Sequence, residues 1–144
     1  MKVLVDTNVL IDYLSGREPY YDKADAVIRF CRDGIILGVM AAHSVTNIFY
    51  ILRKNHDDVT SRLLVKSLFS IIPAIEIDND KLLSALNRSD FKDFEDCLQE
   101  ECAVAFNADY IITRNIKDFE HSRIPALTPT EFLEMIHDAS HDSE

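Results

Sequence analysis

No apolar run in this chain approaches the ~20 residues that a helix needs to cross a bilayer. The longest, Gly34 to Ala42 and Leu68 to Ile75, fall far short, so the sequence predicts no membrane association. No secretory leader is expected either. Residues 1 to 16 carry a single lysine, Asp6 and Asp12 interrupt the apolar stretch, and no small-residue cleavage pattern follows, so a cytoplasmic location is expected. Cysteine is scarce and odd in number. Cys31, Cys97 and Cys102 form no C-x-x-C pair and have no histidine at metal-ligand spacing, which points to reduced core residues. Basic residues are few: 15 Lys and Arg stand against 25 Asp and Glu, a net charge of −10. Affinity for a polyanion normally comes from lysines and arginines that displace counterions, so this balance argues against an ordinary nucleic-acid binder. The objection weakens if carboxylates hold divalent cations, because each ion cancels two negative charges and locally inverts the field.

What is present suits one globular domain. At 144 residues, roughly two-thirds of the unfolded surface can be buried. Hydrophobic residues at 47% and charged residues at 28% are ordinary for a chain that folds without a partner. No repeat or low-complexity segment occurs. A domain over residues 1–138 followed by a frayed acidic tail, 139–144, is expected.

Lys2 to Val5 is a short apolar run ending at Asp6, which suits a buried strand. A short helix is expected from Asn8 to Ser15, stopped at Gly16, and a longer one from Tyr20 to Arg32, stopped at Gly34. Ile35 to Met40 reads as a second strand, with Ser44 as the cap of the next helix. Asp58 to Ser70 fits a further helix, Ala74 to Ile77 a strand, and Asp78 caps a helix through Leu86. Asp93 and Asp96 begin a helix of about 14 residues. Tyr110 to Thr113 reads as a strand, and Thr128-Pro129 starts a terminal helix ending near Ile136. Strands alternating with helices and a near absence of hairpin signals predict an α/β fold, a three-layer α/β/α sandwich around a mostly parallel sheet.

In such a sheet every strand's carboxyl end and every following helix's amino end lie along one edge. Asp6, then Ser44, Thr46 and Asn47, then Asp93 and Asp96, then Asn115 and Asp118 are therefore predicted to converge there. Taken singly, Asp6 could cap a turn, and Asp93 and Asp96 could complement a helix dipole. Together they repel one another, and a cation relieves that penalty. Oxygen donors without a Cys or His cluster favour magnesium or manganese.

The opening Val3-Leu4-Val5-Asp6-Thr7-Asn8-Val9-Leu10 resembles the first motif of PIN-domain nucleases, the fold of VapC-type toxins. The stretch Asp93-Phe94-Glu95-Asp96-Cys97-Leu98-Gln99 and the later Asp109 to Phe119 resemble that family's further motifs in order and spacing. The resemblance covers nearly the whole chain. It implies Asp6, Asp96 and Asp118 as metal-site acids, with Asn115 as a polar ligand or water-holder. Thr7, Asn8 and Thr113 would order the site, and Asn47 and Asp93 would support it. It also implies a metal-dependent ribonuclease acting on RNA, a homodimer and, for toxin members, a small antitoxin protein.

One departure stands out. The family usually has Glu in the helix after the second strand, whereas Ser44-Val45-Thr46-Asn47-Ile48-Phe49-Tyr50 presents Asn47. A subset of the family shares this form. Losing the charge should weaken a second metal more than the first, and Asp93 or Glu95 could compensate. Arg114 and Lys117 are candidate phosphate contacts, with Arg53 and Lys54 weaker ones. His43 is expected near the rim, satisfied by backbone groups. Tyr13, Tyr20, Tyr21, Phe49 and Tyr50 are expected in the core or at a dimer face, not as base-stacking platforms. The alternatives are a catalytically weakened scaffold of the same fold that binds protein or RNA, and a phosphoacceptor module. The second lacks a paired acid after the first strand.

Overall fold

A computed structural model describes residues 1–142. Five parallel strands lie in the order β3-β2-β1-β4-β5, where β1 is Lys2–Val5, β2 Leu37–Ala41, β3 Ala74–Ile75, β4 Tyr110–Ile112 and β5 Ala126–Leu127. The helices are α1 (Thr7–Ser15), α2 (Tyr21–Arg32), α3 (Ala42–Leu52), α4 (Asp58–Phe69), α5 (Asn79–Leu86), α6 (Phe94–Phe106) and α7 (Pro129–Asp142), with a 3₁₀ turn at Ile116–Phe119.

Successive strand residues point to opposite faces, and the core follows that rule. Val3, Val5, Met40 and Ile112 pack with residues of α1 to α4 and with Phe132 of α7. Leu4, Val39, Ala41 and Ile111 pack on the other face with Cys102 and Ala103 of α6. The sheet is thus covered on both sides, as expected for parallel strands. All three cysteines are free and buried. A side chain on Gly38 of β2 would meet the Cys31 Sγ at 2.6 Å, so glycine is what lets α2 sit this close.

Most boundaries follow local chemistry. Asp57, Asp78 and Asp93 each accept a hydrogen bond from a backbone N–H in the first turn of the helix they cap. Thr128 and Glu131 form a reciprocal capping box at α7, with both bonds at 3.1 Å. Gly16 ends α1 at φ +62°, a left-handed conformation that costs glycine little.

Some expectations change. α3 begins at Ala42, so Ser44 lies inside the helix, fully buried, and caps nothing. β5 has only two residues, too short to show a period in the sequence. α7 runs past Ile136 to Asp142, and residues 143 and 144 of the expected tail lie outside the described part. No helix among the described residues is long and apolar enough to cross a membrane.

Candidate functional site

At the carboxyl edge of the sheet, one groove is lined by Asp6, Asn47, Asp96, Asn115 and Asp118, together with Thr7, Asn8, Glu95 and Gln99. Each acid arrives by a different device. Asp6 extends the sheet one residue past β1, its N–H bonding the Ile112 carbonyl at 2.9 Å, and then caps α1. Asp96 sits in the first turn of α6, its N–H held by the Asp93 carboxylate at 3.1 Å. Asp118 rides on the 3₁₀ turn, which Phe119 anchors by entering the core beneath it.

The floor is a hydrogen-bond lattice. The Asp6 carboxylate accepts from the Thr7 N–H and from the Thr113 hydroxyl, both at 2.8 Å. Thr113 Oγ1 in turn accepts from Asn8 Nδ2 and from the Asn115 N–H. Gln99 is buried and donates to Thr7 Oγ1 at 3.1 Å and to Ser44 Oγ at 3.0 Å. It thereby ties α1, α3 and α6 together. Its own Oε1 is buried without a hydrogen-bond partner. Gln99 closes the Asp93–Gln99 motif, which by itself gives it no role. Its spacing of three from Asp96 puts both on one helical face, and that signal was available.

Negative charge is concentrated here. Asp96 is pushed up to about 7, first by burial and then by the charges of Asp6, Asp93, Asp118 and Glu95. Burial also raises Asp6, against the opposing Thr113 and Thr7 hydrogen bonds, with Asp118 adding to the rise. His43 lines the same groove. Burial lowers its pKa, and its Nδ1 has no partner, in contrast to the expected backbone satisfaction.

Among the described residues, no three His, Cys, Asp or Glu side chains form a ready cage around an ion. The donor chemistry nonetheless fits a hard divalent cation: oxygen donors predominate, burial and then the neighbouring acids lift Asp96, and Gln99, which lines the groove, keeps a buried amide oxygen without a partner.

Asp93 caps α6 and lies outside the groove lining. Arg114 points elsewhere. Its Nε donates to Asp12 Oδ2 at 2.7 Å and its guanidinium lies 4.1 Å from the Tyr20 ring centre, so the cations at the groove are instead Arg17 and Lys54. Lys117 and Arg53 do not line the groove either. Tyr13 and Phe49 pack against the core, but Tyr20 and Tyr50 are exposed.

The PIN domain family model matches residues 2–117, a span that includes Asp6, Asn47, Asp96 and Asn115 and stops one residue before Asp118. No curated protein sequence matches. Among solved structures, the chain is similar to a toxin-antitoxin complex from Klebsiella pneumoniae, at 25% identity and TM-score 0.67, covering 88% of this chain and 97% of that one. It is similar in fold to VapBC-1 from nontypeable Haemophilus influenzae, at 19% identity and TM-score 0.63, covering 90% and 99%. VapBC2 from Rickettsia felis, solved bound to a promoter DNA fragment, shares the fold at 14% identity and TM-score 0.63, covering 89% and 98%. With the matched span taking in every residue that lines the groove except Asp118, and most of the sheet, this chain belongs to the PIN-domain family.

Proposed function

We propose that this chain is a divalent-metal-dependent endoribonuclease, the toxin of a toxin-antitoxin pair, with Mg2+ or Mn2+ as its ion. The observation that carries the reading is the meeting of Asp6, Asp96 and Asp118 on one groove from three separate parts of the chain. In this reading those acids hold the ion, Asn115 adds a neutral oxygen, and Thr7, Asn8 and Thr113 fix Asp6. The bound ion supplies an activated water and stabilises charge developing on the phosphodiester. Thr113 and the Thr7 N–H keep the Asp6 carboxylate in one orientation, so the ion meets a preset ligand. Gln99 keeps α6, and with it Asp96, in register with α1. The antitoxin partner rests on the likeness to the Klebsiella complex; the homodimer and the cytoplasmic location belong to the same proposal.

The test is incubation of defined RNAs with the protein and manganese, beside Asp6→Asn and Asp96→Asn. Cleavage that stops in both variants supports the reading, and cleavage unchanged in both removes it. Asn47 and the absence of a ready acid cage favour a second reading, a weakened scaffold that binds a partner. Manganese titration separates the two, because a scaffold gives neither heat nor a thermal shift.

A further inference from the structure

Beside the acidic groove lies a second cleft of about 350 Å³, lined by Asp12, Tyr20, Lys23, Arg114 and Asn115 and by the first residues of α7. Asn115 borders both cavities, so a chain leaving the groove meets this cleft next. Its central feature is a clamped guanidinium. Asp12, 1% exposed, accepts from Arg114 Nε at 2.7 Å and from Nη2 at 3.4 Å, and the Tyr20 ring backs the group at 4.1 Å. Arg17, at the groove, also reaches Asp12, at 3.8 Å. Arg114 Nη1 has no hydrogen-bond partner among the described residues.

Burying Asp12 carries a desolvation cost that its ion pairs only partly offset, so stability is a poor reason for the arrangement. What it achieves is orientation. A long, flexible arginine is held in one pose with a free nitrogen, and Lys23 stands exposed on the same cleft. A pre-oriented guanidinium suits phosphate, and its flat face suits a nucleobase. Tyr20 is 42% exposed and belongs to this plane, not to the core.

Charge also gives a direction. The flank at the start of α6 adds Asp90, Asp93 and Glu120 to the groove's own Asp96 and Asp118, against Lys92 and Lys117, with Asp90 paired to Arg88. That flank offers a phosphodiester no net positive charge. The Tyr20 cleft holds one carboxylate, already paired, beside Arg114 and Lys23.

We propose that the Tyr20–Lys23–Arg114 cleft is a nucleotide subsite for single-stranded RNA, holding the unit next to the one whose phosphate lies in the acidic groove. Arg114 and Lys23 meet the phosphate, and the Arg114 plane, backed by Tyr20, stacks the base. The identity of the ligand rests on the nuclease reading above.

The test is equilibrium binding of a labelled RNA octamer by fluorescence anisotropy, in calcium to suppress turnover, across a salt series. Lys23→Glu should weaken binding roughly fivefold or more and flatten the log-log salt slope by about 0.7, the value for one single-strand phosphate contact. Tyr20→Ala should weaken it roughly fivefold or more by removing the ring that backs the Arg114 stacking plane. Lys66→Glu, on α4, makes the same change of charge elsewhere and should leave affinity within about twofold. An equal loss in Lys23→Glu and Lys66→Glu would reduce the effect to net charge and overturn the subsite. So would octamer binding unchanged in Lys23→Glu and Tyr20→Ala, and in that case the nuclease reading stands. Failure of the unaltered protein to bind any RNA overturns both.

Discussion

Replacing Asp96 by asparagine should stabilise the metal-free protein, by an amount that grows as pH rises from about 4 to about 7. The folded carboxyl sits at about 7 against an ordinary value of 3.8, with burial as the first cause and the neighbouring acids as the next. The folded state therefore binds the proton more tightly than the unfolded state. Stability contributed by that proton is full below pH 4, declines as pH rises through the interval, and is gone above about 7. The roughly three-unit gap, at 1.36 kcal/mol each, sets an upper bound of about 4 kcal/mol. Asp96 is only half-buried, and screening reduces the expected effect to about 1–2 kcal/mol. An asparagine keeps the shape without the charge, so Asp96→Asn should raise Tm by about 3–8 °C at pH 8 in a metal chelator, and by less than about 1 °C at pH 4.5. Scanning calorimetry at the two pH values measures this. Adding manganese at pH 8 should then stabilise the unaltered protein and not the variant. A variant no more stable at pH 8, or one stabilised equally at both pH values, would refute the claim that these acids repel one another across a shared groove.

Two further substitutions probe the same centre. Gln99→Leu removes the donor that joins Thr7 to Ser44, whose hydroxyls remain bonded to each other at 2.6 Å, so the denaturant midpoint should fall by the equivalent of about 1–2 kcal/mol with the m-value unchanged. Manganese affinity by titration calorimetry should fall with it, because α6 carries Asp96; affinity equal to that of the unaltered protein would limit Gln99 to packing. Asn47→Glu places a further carboxylate on the groove lining, and should lower Tm at pH 8 in chelator while increasing the manganese-induced rise. A Tm unmoved in both conditions would show that position 47 does not sense the ion.

The parts legible in the sequence were those in which a residue acts on its own neighbours. The Lys2–Val5 run ending at Asp6, the cap at Asp78 and the helix starts at Asp93 and at Thr128-Pro129 depend on contacts within a few positions, so period and cap chemistry predict them. The rim followed as well, since parallel topology sends every strand end to one edge. Ser44 shows where such reasoning stops. Its identity suggests a cap, but packing places it under the groove, where it meets Thr7 and Gln99 from distant segments. β5 is a strand only because Ile111 and Ile112 lie beside it.

Arg114 makes the same point for function. Adjacent to Asn115 and four positions before Asp118 in the chain, it looks like a groove residue; yet Asp12, 102 positions away, turns it to the neighbouring cleft. The sequence by itself determined all the strands but β5, the helices, and that acids gather at the sheet's edge, because those outcomes depend on short-range chemistry and strand direction. Only the tertiary structure decided where long side chains point and which distant groups they meet, because rotamers of arginine and glutamine are chosen by partners that the local sequence does not contain.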